Sequence, residues 1–192
     1  MSRLPKPIHY GLLLLIIGGI LGVMLVWVNS ITAPIIAENE IKEVAPILEV
    51  LAPTCDEFVN VTEEVDNLPA EVLKVYYGYE GETVKTVIYW TETAAYGTLT
   101  IKELVAIDVT TDKIINVAIT STILTTHGKD DLFTQYDTFF AGKAVSLYAN
   151  KVISSYNGSS PEIISGATIS SKGVVMGVIH TATHYNTTDW GN

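Results

Sequence analysis

Residues 162–172 read Glu-Ile-Ile-Ser-Gly-Ala-Thr-Ile-Ser-Ser-Lys, a stretch whose residue types suit an anion. Gly166 and Ala167 are small enough to let another molecule approach the backbone, and Thr168 then presents a hydroxyl where a helix is expected to start. The first amides of a helix lack intrahelical partners, and the positive end of its dipole favours negative charge, so a phosphate suits this position. Ser165, Ser170, Ser171 and Lys172 add donors. On local chemistry alone, the same residues also fit a hydroxyl-rich N-cap with no ligand.

Other chemical constellations are sparser. His180 and His184 stand four apart on the expected last helix, a spacing at which two imidazoles can share a metal, but no third ligand follows from the sequence. Ser170-Ser171-Lys172 is not S-x-x-K, and no G-x-S-x-G elbow occurs, so hydrolase readings lack their usual residues. The single cysteine, Cys55, excludes an intramolecular disulfide and a C-x-x-C redox pair, so redox chemistry would have to come from a cofactor. Asn60, Asn157 and Asn186 begin N-x-S/T sequons that decide nothing about function.

The chain of 192 residues has room for one domain and an anchor. Hydrophobic residues make up 48% and charged residues 17%, enough apolar content to build a core. The formal charge of -10 repels a phosphate backbone, which sets nucleic-acid binding aside. Residues 10–28 contain no charge and, at about 1.5 Å per residue, reach across a hydrocarbon core of roughly 30 Å, so one transmembrane helix in membrane lipid is expected. Asn29-Ser30-Ile31-Thr32-Ala33 runs into Pro34 rather than into a small-x-small cleavage site, which favours retention over removal. Arg3 and Lys6 precede the span and Glu38, Glu40 and Glu43 follow it, so residues 1–9 should stay in the cytoplasm. The main domain is then an acidic body outside. Gly18 and Gly22 form a G-x-x-x-G pair, the spacing of a helix–helix contact in membranes and also of ordinary transmembrane glycine usage.

Beyond the span, residues 29–69 read as stalk and linker. Thr32 offers an N-cap hydroxyl ahead of Pro34, and Ile35, Ile36, Ile41, Val44, Ile47, Leu48 and Leu51 recur at three- and four-residue spacing. Pro46 leaves one helix or two open, and residues 53–69 look like a loop. Residues 70–192 form the outer domain. Runs of β-branched and aromatic residues at 72–79, 83–91, 98–109 and 113–121 predict four strands, joined closely enough for antiparallel hairpins. Tyr76, Tyr77, Tyr79, Tyr89, Trp90 and Tyr96 concentrate there, as strand packing or as a face for a planar ligand. Residues 125–131 are loop-like, 132–148 suggest a short helix and a turn, and 171–185 a helix. The expected class is α+β, a mainly antiparallel sheet with flanking helices preceded by one transmembrane helix.

Ser165-Gly166-Ala167-Thr168 followed by Ser170-Ser171 resembles the S/T-G-A-T-x-S/T signature of the FMN-binding domain family. The span running into Thr32-Ala33-Pro34-x-Ile36-Ala37-Glu38-Asn39-Glu40, and Phe140-Ala141-Gly142-Lys143 ahead of the signature, extend the likeness to the G subunits of Rnf membrane electron-transport complexes over nearly the whole chain. The resemblance implies FMN joined to Thr168 by a phosphoester, an attachment made outside the membrane by a Mg²⁺-dependent flavin transferase that uses FAD. It implies no catalytic side chain and no protein-bound metal. The chain would be an electron-transfer subunit within an ion-translocating ferredoxin:NAD⁺ oxidoreductase, not a self-contained enzyme, with other membrane subunits as partners. The sequence departs from the family at two places. Glu162 stands where the transferase prefers aspartate, and Thr125-Thr126-His127-Gly128-Lys129-Asp130-Asp131 replaces an acidic-Thr-Pro-Gly turn. Two other readings stay open: the C-type subunit of a Na⁺-translocating NADH:quinone oxidoreductase, which shares the signature, and an anchored cofactor-free binding module.

Overall fold

A computed structural model describes residues 6–120, 134–188 and 190, without the side chains of 6–9, 33–40 and 43. The 125–131 segment, Arg3, and Leu132 and Phe133 at the head of the expected short helix lie outside the described residues. The chain divides into two compact units, residues 1–43 and 44–192.

Helix α1 (Lys6–Leu51) is unbroken through Pro34 and Pro46. Within it Tyr10–Thr32 has a mean hydropathy of 2.7 and is wholly exposed, a helix long and apolar enough to cross a membrane. Thr32 is therefore not an N-cap. Its hydroxyl donates to the Val28 carbonyl at 3.0 Å, and that of Ser30 donates to the Trp27 carbonyl at 2.7 Å, which satisfies both polar groups inside the helix. Side chains added at Gly18 and Gly22 would meet open space.

The second unit is α+β. Five strands, β1 (Glu57–Asn60), β2 (Val72–Glu80), β3 (Thr83–Ala94), β4 (Thr100–Asp108) and β5 (Lys113–Ile119), form an antiparallel sheet in sequence order. β1 lies in the stretch that polar composition marks as a loop. Its four residues are too few to show an alternating pattern, and it exists by pairing Glu57–Asn60 with Tyr76–Tyr79. After the sheet come α2 (Tyr136–Phe139), two 3₁₀ turns (Val145–Leu147 and Ile153–Ser155), and α3 (Thr168–Thr187).

Strand alternation sends Val75, Val87, Tyr89, Val105, Ile107 and Val117 to one face, where they form a single core with Val174, Val175, Val178, Ile179 and Ala182 of α3. The opposite face buries Tyr76, Ile88, Leu104 and Ala106 completely. Val44, Leu48 and Leu51 in the last turns of α1 are buried as well, and the chain that follows brings the Cys55 thiol to 3.5 Å from the Thr86 hydroxyl on that face. Gly78 makes room for it, since a Cβ there would sit 2.7 Å from the sulfur. The strand aromatics divide between the faces and do not form one platform. Tyr76 and Tyr89 are fully buried, while Tyr77 meets Tyr79 and Trp190 edge to face.

Candidate functional site

The signature residues form the entry to α3. Gly166 has φ +81°, the left-handed region that glycine enters without penalty, and this turns the chain into the helix. Ala167 occupies the N-cap and contributes no side-chain bond, so Thr168 is the first helical residue rather than a capping hydroxyl. The first intrahelical bond runs from the Ser171 amide to the Ala167 carbonyl at 2.9 Å. The amides of Thr168, Ile169 and Ser170 have no hydrogen bond to a described residue. Ser165 and Gly166 are exposed, Thr168 is half-buried, and Ile169 is exposed, so the helix start opens to solvent.

Ser170 and Ser171 point inward instead. Both are buried, and the Ser171 hydroxyl accepts the Ile164 amide at 3.0 Å. It thus fastens the loop before Thr168 to the first turn of the helix, and its burial keeps it from an outer ligand. The second fastening is Tyr136 of α2, whose hydroxyl donates to the Glu162 carbonyl at 2.5 Å. Its ring stacks on Phe140 at 5.7 Å between centroids, and burial pushes its hydroxyl up to about 12. Nothing in the sequence singles out Tyr136, because its role depends on a contact across 26 residues.

Phe140, Ala141, Gly142 and Lys143 are brought beside this loop. Gly142 has φ +75°, its amide donates to the Ile114 carbonyl at 2.8 Å, and the Ile114 amide donates back to the Lys143 carbonyl at 2.9 Å, which seats the segment along β5. The Lys143 ammonium rests 3.3 Å from the centre of the Phe139 ring. Desolvation pulls Lys143 below the usual lysine range, and the Glu162 carboxylate counteracts this. Glu162 also raises Tyr136, Tyr148 and Tyr156, each already raised more by burial, so its charge acts on a lysine and three phenols.

The histidine pair is committed elsewhere. His184 lies between the Tyr89 hydroxyl, 3.0 Å from Nδ1, and the Asp66 carbonyl, 2.9 Å from Nε2. A carbonyl only accepts, so Nε2 carries hydrogen and, in the neutral ring, Nδ1 accepts from Tyr89. His180 Nδ1 approaches Glu71 Oε2 to 3.0 Å without hydrogen-bond alignment. The His184 ring ties the loop before β2 to α3. Among the described residues no group of three His, Cys, Asp or Glu side chains is placed to hold a metal.

A separate cleft of about 360 Å³ lies at the far end of α3, lined by Asp112, Ser146, Tyr185, Asn186 and Trp190 among others. It is about 25 Å along the helix axis from Thr168 and takes no part in the signature site. No protein-family model matches the chain, and no curated protein matches it.

Proposed function

We propose that this is a membrane-anchored flavoprotein subunit that relays electrons through FMN bound covalently to Thr168, within an Rnf-type ferredoxin:NAD⁺ oxidoreductase coupled to ion translocation. The supporting observation is the start of α3. Three consecutive amides without a partner among the described residues, a left-handed Gly166 and a half-buried Thr168 lie together, a donor set that fits a phosphate.

Thr168 Oγ would hold the phosphate, with the amides of Ile169 and Ser170 as its donors. Ser165 and Gly166 would leave the approach open, and Ser171 and Tyr136 would hold the loop in place. Glu162, three residues before Ser165, would be read by the flavin transferase. FMN, when bound, supplies the redox chemistry, and the protein supplies position and electrostatic surroundings. In this reading the apolar segment Tyr10–Thr32 crosses the membrane, Arg3 and Lys6 keep the N-terminus in the cytoplasm, and residues 70–192 face outside, where transferase and partner subunits meet them.

The test is peptide mass analysis of the full chain after coexpression with its flavin transferase in an exporting host. An FMN-sized addition on the peptide containing Thr168 supports the proposal. An unmodified peptide from folded protein, with a transferase active on another substrate, rejects it in favour of an anchored module without cofactor.

A further inference from the structure

Glu103 stands apart from every other acid in the domain. It lies in β4 between Ile101 and Val105 on the face that packs under α3, and its side chain is fully buried. Its register partner on β3 is Thr91, whose hydroxyl donates to Oε1 at 3.5 Å, the outer limit of a hydrogen bond. Oε2 has no partner. No described basic residue forms an ion pair with Glu103, and an ionised carboxylate buried without a partner is strongly disfavoured.

Helix α3 is shaped around this group. A Cβ at Gly177 would collide with Oε1 and would lie 2.8 Å from the Thr91 hydroxyl. One turn earlier, the Thr93 hydroxyl donates to the Gly173 carbonyl at 2.9 Å, and a Cβ at Gly173 would lie 2.6 Å from the Ala94 carbonyl oxygen. Two glycines four residues apart thus let the helix backbone press onto β3 and β4 directly over the carboxyl. The titratable groups on α3 are Lys172, His180, His184 and Tyr185, and Tyr89 of β3 and Tyr136 of α2 share its core. Tyr89 and His184 bond each other, Tyr136 bonds Glu162, and His180 faces Glu71. Among the described residues none of them neutralises Glu103.

We propose that Glu103 is kept as the neutral acid between the sheet and α3, and that loss of its proton loosens the docking of the helix that begins at Thr168. Burial holds the carboxyl well above its ordinary value near 4.5, so the folded state keeps a proton that the unfolded chain has released. Stability contributed in this way declines as pH rises from about 4.5 toward the folded-state value. Over that window the opening equilibrium constant grows by up to about tenfold per pH unit. The inference concerns the helix itself and holds whether or not Thr168 carries flavin.

The experiment is hydrogen exchange of the α3 amides in the full chain in detergent micelles between pH 5 and 8, corrected for intrinsic exchange, comparing wild type with Glu103→Gln. The glutamine retains shape without titrating, and both proteins keep the same histidines. The expected result is a steeper rise in α3 opening with pH in the wild type, approaching tenfold per unit relative to the variant. Equal slopes overturn the proposal. Should Glu103→Gln not fold, ¹³C-carboxyl NMR of the wild type decides: one glutamate with the shift of a neutral acid at pH 7 supports the proposal, and thirteen ionised glutamates reject it.

Discussion

The two ends of α3 are built on opposite terms. At the C-terminal end the Thr188 hydroxyl donates to the His184 carbonyl and the Trp190 indole N–H to the Tyr185 carbonyl, each at 2.9 Å. The Tyr185 hydroxyl donates to Asp112 at 2.8 Å, and Trp190 stacks on the Tyr185 ring. The last turn therefore has the His184 and Tyr185 carbonyls and the Tyr185 ring occupied. At the N-terminal end a cap without a side-chain bond leaves three amides with no hydrogen bond to a described residue, beside an exposed Ser165 and Gly166. The same helix thus uses one terminus for stability and leaves the polarity of the other unspent, and that contrast places the candidate site at Thr168 although a cleft of about 360 Å³ lies at the other end.

Three substitutions break or sharpen this contrast. Tyr89→Ala removes a fully buried ring and the partner of His184, and is expected to cost about 3–5 kcal/mol in denaturant unfolding. A loss below about 1 kcal/mol would mean that the C-terminal end is not the stabilising one. Tyr136→Phe keeps the stacked ring and removes only the bond to the Glu162 carbonyl, a loss of about 1–1.5 kcal/mol. Flavin attachment, followed by fluorescence of the denatured protein over time, should slow in the same variant. Rates equal to wild type would show that the loop before Thr168 needs no such fastening. Thr168→Val should change stability by less than about 0.5 kcal/mol, because the hydroxyl caps nothing and forms no bond within the described protein, yet it should abolish covalent flavin. A large stability loss would show the threonine to be structural.

How far the sequence reaches differs from residue to residue. The runs at 72–79, 83–91, 98–109 and 113–121 mark four of the five strands, because period-two alternation with β-branched residues is a local signal. β1 escapes, since four residues without apolar alternation become a strand only when β2 is beside them. The Gly-Ala-Thr entry to α3 is legible from residue type, but capping is not. A hydroxyl at a helix start reads as a cap, while the backbone places Ala167 in that position and Thr168 one residue later. Glu103 carries a signal that the pattern does contain, an acid in phase with Ile101, Val105 and Ile107 on the buried face, and alternation alone marks it as unusual.

What the sequence determines by itself is what short-range physics encodes: one apolar helix long enough for a membrane, an antiparallel sheet joined by tight turns, and a glycine that admits a left-handed turn before Thr168. Tertiary structure decides which of these groups meet. Only folding brings Tyr136 to Glu162 across 26 residues, His184 to Asp66 across 118, and the Glu103 carboxyl to Gly177. Hydrogen bonds and burial between distant segments depend on how helix and sheet pack, and no local pattern in the chain records that packing.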